Sequence, residues 1–236
     1  MAPAPVALVL LPGMDGSGDL FAAFAAALGA GVAPQVVAYP PEQVLDYQGL
    51  AAFARARLPA GQPFVLLGES FSGPVAIALA ASNPPGLIGL VLSCTFARNP
   101  VPHFSVFQRL FGAVPVPSAL GWLASPCLLG LRAAPGQRRA LQNAIARVAP
   151  AVSRARMRAV RKVDYSEQMR AVKVPVLYLQ ARHDSVVPAS AARHLLALQP
   201  AMQVVALRGP HMLLQAAPLD AAAAVMDFIG RLQPGR

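Results

Sequence analysis

Two blocks of strand–helix alternation, separated by a stretch that breaks the pattern, constrain this fold more than any other feature of the chain. In the first block, apolar runs at residues 5–12, 35–40, 63–69 and 87–95 alternate with helically spaced runs at 19–29, 46–58 and 71–82. In the second, runs at 175–181 and 202–208 alternate with helical spacing at 189–199 and 217–232. The apolar runs are continuous instead of alternating with polar residues, as in strands covered by helices on both faces. Such alternation implies parallel strands joined by right-handed crossovers. The expectation is an α/β protein with a mostly parallel six-stranded sheet flanked by helices.

Residues 97–163 depart from this order. They are rich in Pro and Arg, with helical stretches predicted at 103–111, 118–131, 137–148 and 151–161. This reads as a helical cap inserted after the fourth strand. The core is then expected at 1–96 and 171–236, and the cap or lid insertion at 97–170. No internal repeat or low-complexity linker divides the chain further.

The motif that carries chemistry is Gly68-Glu69-Ser70-Phe71-Ser72-Gly73. It falls where the third strand must turn sharply into a helix. A serine on such a turn adopts strained backbone angles and presents its hydroxyl at the C-terminal edge of the sheet. Small residues around it let strand and helix approach, and the helix N-terminus turns its positive dipole end toward the site. Read alone, Ser70 could also be an ordinary helix N-cap; the strand–turn–helix context favours the nucleophile. The segment resembles the G-x-S-x-G nucleophile elbow of the α/β-hydrolase superfamily, with Ser72 standing where glycine is usual.

That resemblance implies the remaining site residues. The chain order Ser, Asp/Glu, His points to Asp184, in Ala181-Arg182-His183-Asp184-Ser185-Val186-Val187-Pro188, and to His211, in the loop Arg208-Gly209-Pro210-His211-Met212 after the last strand. His194 falls mid-helix, His103 in the cap, and His183 points elsewhere by adjacency to Asp184. Of the rival carboxylates, Glu69 is expected to be turned away by the elbow and Asp15 to structure its own loop. In the family a turn after the first strand supplies one backbone N–H to the oxyanion and the residue after the nucleophile supplies the other. Here these are the N–H groups of Met14 and Phe71. Pro12-Gly13 stands where most family members have His-Gly, and the donor is unaffected because a side chain does not provide it. A phosphate loop at 11–18 is disfavoured: it lacks the Lys-Ser/Thr ending and the G-x-G-x-x-G spacing.

The triad implies acyl transfer through an acyl-enzyme, and an ester with an apolar acyl part is the expected substrate. Thioester or C–C bond hydrolysis on the same triad, and a member that binds a small ligand without turning it over, stay open, because pocket shape decides among them. The apolar run 110–131, with Phe111 and Trp122, is either a lid over an acyl pocket or cap core. No cofactor is expected, and no metal, since two cysteines and scattered histidines give no ligand spacing.

Apolar residues make up 56% of the chain, which raises the question of a membrane span. The uncharged run 110–131 is long enough, but Pro115, Pro117 and Pro126 and three glycines interrupt it. The N-terminus has no basic residue ahead of its short apolar stretch, unlike a signal peptide. With Cys94 and Cys127 the only cysteines, a reduced, cytoplasmic setting is expected.

The net charge is +10, and no Asp or Glu lies between Glu69 and Asp164. Arg154, Arg156, Arg158, Arg161 and Lys162 form the densest basic stretch. A solvated basic face is the default reading. The sharper ones are docking of an acidic carrier protein, as in the similar pimeloyl-ester carboxylesterases, or adhesion to an anionic membrane surface, with Arg109 and Arg132 flanking the apolar run. Nucleic acid is not expected, because the arginines lack interleaved aromatics.

Overall fold

The computed structural model describes residues 6–100 and 120–232, without the side chains of residues 120–124. The helix expected at 103–111, His103, and the Phe111 and Trp122 side chains lie outside the described residues. Among the described residues six strands, β1 (Val6–Leu11), β2 (Val32–Val36), β3 (Phe64–Glu69), β4 (Leu87–Ser93), β5 (Val176–Ala181) and β6 (Gln203–Leu207), form one sheet in the order β2-β1-β3-β4-β5-β6. Every pairing is parallel. The helices, in chain order, are α1 (Ala22–Ala27), α2 (Tyr47–Arg55), α3 (Gly73–Ala81), α4 (Leu120–Leu129), α5 (Pro135–Ala146), α6 (Pro150–Lys162), α7 (Ser166–Ala171), α8 (Ala189–Leu198), α9 (Leu213–Ala216) and α10 (Pro218–Leu232).

The continuous apolar runs have a direct structural cause. Successive strand residues point to opposite faces of the sheet, and both faces are covered. Along β1, Ala7, Val9 and Leu11 join one layer with Leu50 of α2, Val75 and Ile77 of α3 and Leu195 of α8. Val6, Leu8 and Leu10 join the other layer with Phe24 of α1 and Val225 and Phe228 of α10. Each fully buried leucine contributes roughly 2 kcal/mol, so the inner strands carry apolar residues on both faces.

The second strand lies upstream of its expected place at 35–40. It begins at Val32, opposite Val6 of β1, and runs through Pro34. An edge strand can accept a residue with no N–H to donate, so Pro34 does not delimit it. The short helices α7 and α9 are additional to the predicted elements.

Between β4 and β5 the chain runs through α4–α7. Residues 97–99 and 163–165 are held together at the start and end of this excursion. Arg98 and Asp164 form an antiparallel bridge, the Tyr165 N–H donates to the Ala97 carbonyl at 2.8 Å, and the Asn99 N–H to the Val163 carbonyl at 3.1 Å. No helix among the described residues is long and apolar enough to cross a membrane. Cys94 is buried and Cys127 exposed, and both are free.

From β1 the chain moves outward to β2, then returns across β1 to β3. The crevice between the C-terminal ends of β1 and β3 is therefore the topological switch point, where open α/β sheets bind ligands. The register sets Leu11 beside Gly68, which brings the loop after β1 against the turn that follows β3.

Candidate active site

Strand β3 ends in extended backbone at Glu69 (φ −95°, ψ 131°), and a 3₁₀ turn over Ser70–Ser72 leads directly into α3. Ser70 has φ 49°, a left-handed conformation that costs an L-residue about 1–2 kcal/mol. The glycines on either side make the turn possible. A Cβ on Gly68 would lie 2.7 Å from the Ala76 Cβ, and one on Gly73 would lie 1.9 Å from Thr95 Oγ1. Thr95 in turn donates its hydroxyl to the Ser70 carbonyl, so the loop after β4 braces the strained residue from behind.

The loops after β5 and β6 are joined by two backbone hydrogen bonds, Arg182 N–H to Leu207 O at 2.9 Å and His183 N–H to Gly209 O at 3.0 Å. They bring Asp184 to His211. The Asp184 carboxylate stands 2.9 and 3.0 Å from His211 Nδ1, and its Oδ1 accepts the N–H groups of Val186 and Val187, each at 2.8 Å. A carboxylate can only accept here, so the proton sits on Nδ1 and leaves Nε2 free to accept. Nε2 lies 2.8 Å from Ser70 Oγ. The imidazole is 4% exposed, and Ser70 remains partly accessible. The structure thus brings together the three residues singled out in the sequence. His183 is exposed, and His194 instead meets Ser166 Oγ at 3.0 Å.

The loop after β1 forms a tight turn in which the Gly16 N–H donates to the Gly13 carbonyl at 3.1 Å. Met14 is the second residue of that turn. Among the described residues, neither the Met14 nor the Phe71 amide N–H is engaged in a hydrogen bond. Asp15 structures the loop as expected, accepting the Ser17 N–H at 2.9 Å and the Ser17 hydroxyl at 2.7 Å. Phe71 turns its ring away from solvent and stacks on Tyr47, with ring centres 4.9 Å apart.

Several polar contacts behind the site were not legible as functional. Ser72 is more than a small residue at a glycine position: its hydroxyl donates to the Pro12 carbonyl and accepts the Tyr39 hydroxyl at 2.8 Å. Arg156, grouped with the basic face in the sequence, is 2% exposed. Its guanidinium donates to the Met14 carbonyl at 2.8 Å and lies 3.4 Å from the Pro40 carbonyl. One signal in the sequence did mark it, since Arg156 stands four residues after Val152 on the buried stripe of α6.

Glu69 is also buried. Its carboxyl is pushed up to about 8, chiefly by burial, with the nearby Asp15 carboxylate adding to the rise and a hydrogen bond from Gln215 opposing it. Gln215 Nε2 stands 3.4 Å from Glu69 Oε2, while Glu69 Oε1 and Gln215 Oε1 have no partner among the described residues.

The C-terminal end of α4 rests on the loops that carry Asp184 and His211. Ser185 donates its hydroxyl to the Cys127 carbonyl at 3.1 Å, and the Met212 N–H donates to the Leu128 carbonyl at 2.9 Å. A groove of about 940 Å³ lies elsewhere, lined by Tyr47, Ala51 and Arg55 of α2 and by Lys162 and Tyr165. No cluster of three His, Cys, Asp or Glu able to hold a metal occurs among the described residues.

The sheet, the elbow and the switch-point site together define a serine hydrolase of the α/β-hydrolase superfamily. More narrowly, the sequence model of the serine aminopeptidase S33 family matches residues 36–213, and the chain belongs to that family. A sequence comparison with curated proteins finds no match. Among solved structures, the chain is similar to an enol-lactonase from Burkholderia xenovorans, at 16% identity and a TM-score of 0.77, covering 98% of this chain and 92% of that one. It is similar to an esterase from a Rhodococcus species at 22% identity and a TM-score of 0.76, with the same coverage of each chain. An esterase from Exiguobacterium antarcticum matches at 12% identity and a TM-score of 0.81, covering 96% of this chain and 92% of that one. At these identities the likeness is one of fold.

Proposed function

We propose that this hydrolase cleaves carboxylic esters through an acyl-enzyme, with Ser70 as nucleophile, His211 as general base and acid, and Asp184 as the group that orients His211. The observation that carries this reading is the unbroken chain of contacts from Ser70 Oγ through His211 to the Asp184 carboxylate, built on a serine held at positive φ. Nε2 takes the Ser70 proton as Oγ bonds to the ester carbonyl carbon, and Asp184 stabilises the imidazolium that forms. The Met14 and Phe71 N–H groups receive the oxyanion. Collapse of the tetrahedral intermediate breaks the bond to the leaving alcohol, which takes the proton from His211. Water, activated by the same imidazole, then releases the acid and restores Ser70.

An apolar acyl part is the substrate feature proposed, with the 97–170 insertion as its cover. Support comes from the contacts that seat the end of α4 on the Asp184 and His211 loops. Arg154, Arg158 and Lys162 give α6 an exposed basic edge on which an acidic carrier protein or an anionic surface would act by charge. Binding of either that weakens from low to high salt supports such a partner, and salt-independent or absent binding leaves the edge simply solvated.

The test is turnover of p-nitrophenyl esters of increasing chain length by the native protein and by Ser70→Ala, with acyl thioesters and aminoacyl p-nitroanilides as parallel arms. Ser70-dependent ester turnover supports the reading, and its chain-length optimum sizes the pocket. Turnover confined to thioesters or anilides moves the reaction to those bonds. Inertness in all arms, with no labelling of Ser70 by a fluorophosphonate, overturns the reading in favour of ligand binding.

A further inference from the structure

We propose that Arg156 is a positioning residue for the oxyanion loop, fastening helix α6 to the peptide that presents the Met14 N–H; this rests on the ester-hydrolase reading above. A trans peptide points its C=O and N–H in opposite directions. The Met14 N–H therefore faces the site only while the Gly13 carbonyl faces the other way, where the Gly16 N–H holds it at 3.1 Å. The next peptide is held by Arg156, whose Nη1 donates to the Met14 carbonyl at 2.8 Å. With two consecutive carbonyls secured, the loop cannot flip a peptide and withdraw the donor.

The surroundings of Arg156 fit this role better than that of a surface charge. It is 2% exposed, yet no described carboxylate lies within ion-pair distance of it. A buried cation satisfied only by backbone carbonyls is costly, and an apolar residue would pack this stripe of α6 at less cost. Its two carbonyl partners, Met14 and Pro40, lie in loops already joined by the Tyr39 N–H to the Gly16 carbonyl at 2.8 Å. The guanidinium also lies 5.7 Å from the centre of the Tyr39 ring, and Tyr39 reaches Ser72 on the elbow. Arg156 thus closes a ring of contacts that joins the elbow, the oxyanion loop and α6. A Cβ on Gly16 would lie 2.6 Å from Nη1, so the loop backbone is shaped to admit the guanidinium.

The experiment compares native protein with Arg156→Lys, Arg156→Met and Arg156→Ala, after circular dichroism has established that each is folded. The expected result is a kcat lowered about 10- to 100-fold, with KM changed less than about threefold. The Ki of a trifluoromethyl ketone, which forms a charged hemiketal on the serine, should rise by the same factor. Added guanidinium at tens of millimolar should restore part of the kcat of Arg156→Ala, whereas sodium chloride at equal ionic strength should not. Unchanged kcat in folded variants overturns the proposal, as does a loss carried by KM alone. Failure of all three variants to fold overturns it in favour of a role in folding. Absence of Ser70-dependent turnover in the native protein is a different failure: it overturns the ester-hydrolase reading and the inference with it.

Discussion

The Ser72 hydroxyl donates to the carbonyl of Pro12, tying the turn that begins at Ser70 to the loop that follows β1. Because its proton goes to Pro12, its oxygen is free to accept the Tyr39 hydroxyl. Ser72 and Tyr39 are both buried. Ser72→Ala leaves two buried polar groups without a partner, at an expected cost of about 1–3 kcal/mol. Denaturant unfolding measures it, and an unchanged midpoint would show that the tie contributes nothing. Ser72→Gly restores the usual family residue but should be no more stable than Ser72→Ala, since it loses the same bonds.

The left-handed backbone of Ser70 makes two variants that lack its hydroxyl distinguishable. Ser70→Ala keeps a Cβ at φ 49°, whereas Ser70→Gly removes the steric conflict. The glycine variant is expected to be more stable than the alanine variant by about 1 kcal/mol, although glycine elsewhere in an ordered element usually destabilises. Paired thermal melts decide this, and a lower midpoint for Ser70→Gly would mean that the turn holds no strain.

Asp184→Asn keeps the shape of the acid but can donate to His211 Nδ1, which favours the tautomer with its proton on Nε2. That tautomer cannot accept from Ser70. The expected loss in kcat is roughly 1,000- to 10,000-fold with KM little changed. A loss below tenfold would show that Asp184 does not set the tautomer.

Glu69 makes stability depend on pH. In the folded state burial holds its carboxyl up at about 8, against the ordinary 4.5, so between those values the folded state holds a proton that the unfolded chain has released. Stability is therefore full below about pH 4.5 and falls as pH rises toward 8, by at most about 1.4 kcal/mol per pH unit. Glu69→Gln, neutral throughout, should gain on the native protein across that window. Urea unfolding of both proteins at pH 5, 6.5 and 8 tests the sign, and a constant difference across pH would exclude Glu69 as the cause.

The sheet was legible because burial on both faces leaves continuous apolar runs, and the elbow because its turn requires Gly68 and a following small residue. The three residues the structure brings together could be picked out because each follows a strand in a fixed chain order. The edge strand β2 begins upstream of its expected place because Pro34 looks like a boundary in a sequence that does not show the strand is paired on one side only. Ser72, Tyr39 and Arg156 escaped because their partners are backbone carbonyls or residues distant in sequence, and side-chain type does not announce such contacts. The basic run around Arg156 hid a buried residue among exposed ones, since charge counting does not see which face of a helix a side chain occupies.

The way Arg156 holds its loop bears on how the contact would register in evolution. Both of its acceptors are main-chain oxygens, at Met14 and Pro40, so the side chains there can change without breaking the link. Covariation between Arg156 and either position would then be weak however strongly the groups are coupled. The place where the link constrains sequence is Gly16, whose missing Cβ leaves room for Nη1. A homologue in which residue 16 gained a side chain would have to move its arginine or replace it.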